Sequence, residues 1–356
     1  METGADSPTR PVHGNAAARQ NRTMNATIDT PRAPGSTAQK PPLRFGSETR
    51  HVLVTGATGF IGSQLVRALL ADGHKVSVWA RDPAAAGRKL GAGVHCVARL
   101  GDLPVAPPVD VIVNLAGAPI FGPRWTSARQ AALLRSREGT TNTLVDWIGS
   151  LDRRPALMLS GSAIGYYGVQ RQDDPKALTE ASPSQPVFMS ELCRRWEASA
   201  HAATRHGVRV ACMRFGVVFG RSGGSLPKLL LPVRLGVGGR MGSGRQVLSW
   251  IHERDVLRAM AHVWAATMAP EAQGAPARAY NFTSPGAVTQ QGFARVAADV
   301  LHRPCLIPTP GWPVRLALGE QADLLLEGQR VAPARLVQTG FEFEFPDIEG
   351  ALKDLC

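Results

Sequence analysis

Nowhere in the 356 residues does an uninterrupted apolar run reach the roughly 18–20 residues that a bilayer-spanning helix needs, so no membrane partner is expected. The N-terminus has no apolar segment of the kind a secretory signal carries. Cysteine is scarce. Cys96, Cys193, Cys212, Cys305 and Cys356 are odd in number, scattered, and never paired as C-x-x-C. That spacing disfavours a disulfide framework and a zinc site, and it suits a reducing, cytoplasmic compartment. No other cluster of metal-ligating residues, paired carboxylates or nucleophile–base arrangement stands out, so no metal is expected. Tyrosine occurs only three times.

Positive charge is in surplus: 40 Lys and Arg against 28 Asp and Glu, a net +12. The basic residues are spread along the chain, with no block and no interleaved aromatics. That is not the footprint of a nucleic-acid binder. A surplus of arginine does suit a small phosphorylated ligand. With 44% hydrophobic and 19% charged residues, the chain reads as an ordinary globular protein with a sizeable core. Nothing in it speaks to oligomeric state.

Residues 1–49, rich in Ala, Thr, Ser, Pro, Asn and Arg without a hydrophobic period, are expected to be a disordered tail. From His51 the pattern changes. Expected strands are HVLVT (51–55), KVSVWA (75–80), VHCVA (94–98), VDVIVNLAG (109–117, running into a loop), PALMLS (155–160), VRVACMRFG (208–216) and AYNFT (279–283). Helices are expected after residue 60, over 126–148 with Thr126 as N-cap, from FMSELCRRWE (188–197) to near Gly207, and near 289–302. Alternating strands and helices predict an α/β fold with a doubly wound parallel (Rossmann) sheet. The expected division is a dinucleotide-binding domain over 50–216, substrate-lobe segments and remaining sheet elements over 217–300, and a short C-terminal domain over 301–356.

The strongest motif is VTGATGFIG (54–62). Its glycines, Gly56, Gly59 and Gly62, follow a strand and open a helix. They permit a tight turn, close approach of a pyrophosphate and close helix–sheet packing. Thr58, Phe60 and Ile61 belong to the same cofactor-binding turn. At the end of the second strand an acidic residue would bind a ribose 2′-hydroxyl. Here Ala80 is followed by Arg81, which can hold a 2′-phosphate, so NADP(H) is favoured over NAD(H). The competing reading is that Arg81 is only a surface arginine and Asp82 takes the acidic role. NLAG, with Asn114, Ala116 and Gly117, is the second cofactor landmark.

These landmarks together resemble the extended short-chain dehydrogenase/reductase superfamily. NLAGAPIFGPRWT, SGSAIGYYG, ELCRRWE, MRFGVVFG, GSGRQVLSWIH and LLEGQRVAPARL are similar to one atypical, epimerase-like subfamily with its own C-terminal domain. Some of its relatives carry a cell-division-inhibitor label. The resemblance implies NAD(P)-dependent oxidoreductase or epimerase chemistry on an unidentified small carbonyl or alcohol. The wider superfamily works through a Ser or Thr and a Tyr-x-x-x-Lys pair. Counting back from Glu197 places those two slots at Met189 and Cys193, neither of which can do the job. Both also fall in an apolar stripe with Leu192, Trp196 and Ala200.

Ser162 stands where the resemblance implies a catalytic serine, and Tyr166 or its neighbour Tyr167 could replace the missing phenol. On the substrate side the candidates are Arg124 and Trp125 after NLAG, and Arg245 and Gln246 in the glycine-rich 242–252 loop. His252 is expected to be structural, and Asp255 is expected to cap the helix beside it. Arg214 either reaches the site's edge or pairs with a carboxylate. The alternative function is non-enzymatic: a dinucleotide-binding regulator acting through a partner, as the cell-division label of some relatives suggests.

Overall fold

The strand His51–Thr55 (β1) is buried along its whole length, and its side chains alternate between two cores. Val52 and Val54 face one of them, with Leu65, Val66 and Leu69 of the helix Phe60–Ala71 (α1). Leu53 faces the other. A strand buried on both faces belongs to the middle of a parallel sheet. The computed structural model, which describes residues 42–272, 274 and 277–356, places β1 there.

Next come Lys75–Trp79 (β2), the helix Pro83–Leu90 (α2), Val94–Val97 (β3) and Val111–Asn114 (β4). The helices Ser127–Leu134 (α3) and Thr140–Gly149 (α4) lead to Leu157–Ala163 (β5). Phe188–His201 (α5) leads to Arg209–Phe215 (β6), and the short Val217–Phe219 (β7) follows. Leu226–Arg234 (α6), Val247–Leu248 (β8), Trp250–His252 (β9), Glu253–Met268 (α7) and Arg278–Phe282 (β10) come after it. The chain closes with Val288–Thr289 (β11), Gln290–Leu301 (α8), Gly311–Leu318 (α9), Asp323–Leu326 (α10), Ala334–Gln338 (α11) and Ile348–Leu355 (α12).

The main sheet has seven strands in the order β3-β2-β1-β4-β5-β6-β10, and every pair in it is parallel. It is the doubly wound Rossmann sheet expected from the sequence. The chain winds outward from β1 to β3, then returns to the other side of β1 with β4. That reversal opens a crevice at the carboxyl ends of β1 and β4, where this architecture takes ligands. α1 and α7 cover one face, with Val256, Met260, Val263 and Trp264 of α7 in the shared core. Leu144, Val145 and Ile148 of α4 and Ala200 of α5 cover the other. A third core joins α6, α8 and α12 around Phe219 and Trp250.

Two expectations change. The helix expected over 126–148 is interrupted by a π-helical turn at Arg135–Gly139, although Thr126 does cap it by accepting from the Arg129 amide. Of the expected tail, residues 1–41 lie outside the described residues. Residues 42–49 belong to the compact unit Pro42–Cys356. Phe45 there is only 1% exposed, and its amide donates to Asp72 at 2.6 Å. The tail expectation missed this lone aromatic because it has no periodic neighbours. Among the described residues no helix is long and apolar enough to cross a membrane.

Candidate dinucleotide and substrate site

The glycine turn fits a dinucleotide. Gly56 adopts φ +66°, and a β-carbon there would lie 2.5 Å from the Leu115 carbonyl oxygen. A β-carbon on Gly62 would overlap the Gly56 carbonyl. Both places therefore demand glycine. Gly59 is the N-cap of α1; no side chain caps the helix and its first turn holds no acidic residue. The first amides of a 12-residue helix are thus open to an anion. Gly56, Gly59, Phe60, Ile61 and Gly62 all line the same large cavity. Thr58 does not; its carbonyl instead accepts from Lys89 at 2.8 Å.

At the end of β2 stands Asp82. Its carboxylate accepts from the Ala85 amide at 2.9 Å and so caps α2. Arg81 is exposed and makes no ion pair among the described residues.

Asn114 holds the crevice rather than facing it. It is fully buried, accepts from Thr55 Oγ1 at 2.7 Å, and donates to Thr141 and Ser160. Ala116 donates its amide to the same Thr55 hydroxyl. Gly117 leaves room for the Arg137 guanidinium, 3.1 Å from where a β-carbon would stand. Leu115, between them, reaches the cavity wall. Arg137 comes from the π-helical turn. It is buried, rests on the Trp196 ring and donates to the Ala118 carbonyl at 3.0 Å. Burial lowers its pKa, and no carboxylate faces it among the described residues. The sequence showed no sign of it, because it depends on the unpredicted π-turn.

Helix α5 closes the far side. Phe188, Met189 and Trp196 line the cavity, while Cys193 is 1% exposed. Burial, reinforced by nearby Glu197, pushes the Cys193 thiol up to about 12, so it is neither a nucleophile nor an acid near neutrality.

Behind this wall lies a buried polar network. Ser162 donates to Glu197 Oε1 at 2.6 Å. Arg214 grips the same carboxylate with Nε at 2.7 Å and Nη2 at 2.8 Å. Its Nη1 donates to Tyr167 at 2.9 Å, and Tyr167 donates to Asn281 at 2.6 Å. Burial alone would lower the Arg214 pKa; the bonds to Glu197 outweigh it and hold the guanidinium protonated. Burial raises the Tyr167 phenol, with Arg214 opposing. Both catalytic candidates border this network. Ser162 is 2% exposed and its proton is committed to Glu197. The Arg214 Cζ lies over the Tyr166 ring, 3.4 Å from its centroid. Neither residue is part of the cavity wall. Arg214 pairs with a carboxylate, one of its two expected roles.

On the substrate side the structure separates the four candidates. Trp125 lines the cavity, edge-on to Phe188 at 5.2 Å. Gln246 also lines it, with its amide held by the Met241 and Leu325 carbonyls. Arg124 turns away: its guanidinium holds the Leu316 and Ala317 carbonyls of α9. Arg245 is exposed and not on the wall. His252 is structural as expected. It caps α7 by accepting from the Arg254 amide, and it stacks on Phe345 at 3.8 Å. The cap expected of Asp255 therefore falls to His252. Asp255 is fully buried and accepts the Glu344 and Phe345 amides. Among the described residues no group of His, Cys, Asp and Glu could hold a metal ion.

Residues 52–281 match the NAD dependent epimerase/dehydratase family, and residues 309–355 match a domain of unknown function, DUF1731. The chain is 34% identical over 307 residues to epimerase family protein SSP1921 of Staphylococcus saprophyticus, spanning 86% of this chain and 99% of that one. It is 37% identical over 308 residues to epimerase family protein SDR39U1 of Mus musculus, spanning 85% and 99%. The crystal structure of human epimerase family protein SDR39U1 (isoform 2) with NADPH superposes with a TM-score of 0.73 at 35% identity, covering 86% of this chain and 98% of that one. A UDP-galactose 4-epimerase superposes at 0.65 but is 21% identical, a likeness of fold alone.

Proposed function

The chain belongs to the NAD dependent epimerase/dehydratase family, and from that premise we propose that it is an oxidoreductase or epimerase that prefers NADP(H) over NAD(H) and acts on a small carbonyl or alcohol. The observation that carries the cofactor preference is the charge at the end of β2. Arg81 is exposed without an ion pair among the described residues, while Asp82 is engaged in capping α2. A rim whose cation is unpaired and whose carboxylate is turned to a helix cap favours a 2′-phosphate over a 2′-hydroxyl. The relative crystallised with NADPH supports the same reading.

In this reading the amides at the start of α1 hold the pyrophosphate, and Gly56 and Gly62 keep backbone close to it. The nicotinamide supplies or removes hydride when bound. Trp125, Phe188 and Met189 wall the reacting end. The proton is relayed by the Tyr166 phenol or by water: the Ser162 proton is held by Glu197, whereas Arg214 meets only the face of the Tyr166 ring. Met189 and Cys193 occupy the slots of the superfamily's acid–base pair.

That same engagement favours a second reading, a dinucleotide-binding regulator with little turnover. Titration with NADPH and NADH, followed by a carbonyl panel, separates the two. Losing the charged hydrogen bonds of Arg81 costs about 1.5–3 kcal/mol, so Arg81→Ala is expected to weaken NADPH binding about 10–150-fold. NADH binding should change less than about twofold. Equal affinity of the wild type for both dinucleotides overturns the cofactor preference. NADPH binding without oxidation by any carbonyl selects the regulatory reading.

A further inference from the structure

The cavity extends well beyond the glycine turn. Its volume is about 1210 Å³, above the roughly 300–1,000 Å³ of a pocket for one drug-sized ligand. One end is the glycine turn and Leu115. The other runs between α5, α6 and the C-terminal segment, ending at Leu324 and Leu325.

The charge on this second part is distinctive. Lys228 is the only cation on the wall among the described residues, against three acids, Glu320, Asp323 and Glu327. Asp323 and Glu327 are both paired with Arg315, which is not on the wall. Arg124 and Arg245 are off the wall too. The remaining surface is dominated by apolar side chains, Trp125, Phe188, Met189, Leu324 and Leu325 among them. The rim is also apolar: Phe121, Val187 and Val237 line the cavity and are 40%, 37% and 45% exposed.

A nucleoside diphosphate needs guanidinium or ammonium groups facing it, and desolvating its charge against an apolar wall bearing acids is costly. We infer that the second ligand is an uncharged, aryl-sized, largely apolar carbonyl or alcohol compound carrying no phosphate, and not a nucleotide sugar. The inference rests on the dinucleotide reading for the other end of the cavity. Gln329, whose side-chain amide gives one of its two hydrogens to the Gly168 carbonyl, supplies a polar contact that orients such a ligand, as apolar pockets commonly do.

The test is calorimetric titration of NADPH-loaded protein with a naphthyl methyl ketone and, separately, with UDP-glucose. The ketone is expected to bind one-to-one, and UDP-glucose at least about 100-fold more weakly. Leu324→Asp, on the wall, should weaken the ketone at least about tenfold; Val237→Asp, at the exposed rim and safe for folding, should do so about threefold or more. Leu306→Asp is the control: it is 83% exposed and off the wall, so ketone affinity should stay within about twofold. UDP-glucose binding as tightly as the ketone, or ketone affinity indifferent to both wall substitutions, overturns the inference. NADPH affinity is measured alongside. NADPH binding without ketone binding sinks this inference alone, while ketone binding without NADPH binding sinks the dinucleotide reading alone.

Discussion

Glu197→Leu is the sharpest perturbation of the buried network. Glu197 and Arg214 are each 4% exposed, and their pairing is bidentate at 2.7 and 2.8 Å. Removing the carboxylate leaves a buried guanidinium without its counter-charge and the Ser162 hydroxyl without its acceptor. Breaking a buried ion pair from one side costs about 3–5 kcal/mol, most of it the penalty of the stranded charge. Removing both partners is far gentler, since apolar replacement of a whole buried pair is often close to neutral. The double variant Glu197→Leu with Arg214→Leu leaves only an unpartnered Ser162 hydroxyl and a Tyr167 hydroxyl that still donates to Asn281. Its cost should stay below about 2 kcal/mol, and the cycle should show a coupling of about 2 kcal/mol or more. The assay is urea unfolding, read as a midpoint shift at unchanged slope. Neither side chain lines the cavity, so NADPH affinity of the folded variants should stay within about twofold. A single variant within about 1 kcal/mol of wild type, or a double variant as unstable as the two singles summed, would refute the reasoning.

Three further outcomes follow from the same geometry. Gly62→Ala places a methyl 2.8 Å from Ala57 Cα and over the Gly56 carbonyl; at about 1–3 kcal/mol for such overpacking, NADPH affinity should fall about 5–100-fold. Gly87→Ala, with nothing within 4 Å, should leave it unchanged in the same titration. Burial lowers the pKa of His201, whose Nε2 is buried without a hydrogen-bond partner among the described residues. Below the ordinary histidine value near 6.5 the unfolded chain then binds the proton first, so stability falls as pH drops from there through the lowered pKa; His201→Gln should flatten that fall in urea midpoints measured from pH 7.5 to 5, and an unchanged slope counts against it. Burial also pushes Cys193 up to about 12 and Cys212 well above the ordinary thiol range. Iodoacetamide at pH 8 should therefore modify exposed Cys356 and spare both until the protein is unfolded, as peptide mass spectrometry can show.

The sheet was legible because strands buried on both faces read as continuous apolar runs: HVLVT and LMLS are β1 and the start of β5. The dinucleotide turn was legible because its glycines are dictated by backbone contact with residues nearby in the chain or on the adjacent strand. The network was not, because it is a product of register. Ser162 and Arg214 are direct partners across β5 and β6, and α5, which connects those strands, lays Glu197 over them. One signal was available. An arginine inside the buried run VRVACMRFG must find a carboxylate, and Glu197 follows Cys193 by one helical turn. The misplaced cap has a similar origin: β9 extends to His252, so α7 begins at Glu253 and Asp255 falls inside it. For Arg124 and Arg245, residue type was readable but direction was not, since each direction depends on loops that only the folded C-terminal segment positions.

The same register gives α5 its meaning. Met189, Cys193 and Glu197 are spaced four apart and lie along one helix face. The first lines the cavity, the second is sealed in the core, and the third anchors Arg214. The face therefore passes from ligand wall to packing to buried charge within two turns. Converting Cys193 into a lysine would set an ammonium beside Arg137 and Arg214, both already close enough to influence the thiol. Glu197, the strongest charge acting on that position, is already committed to Arg214, so a buried ammonium there would have no counter-charge of its own, and desolvation is the cost that the apolar residue avoids.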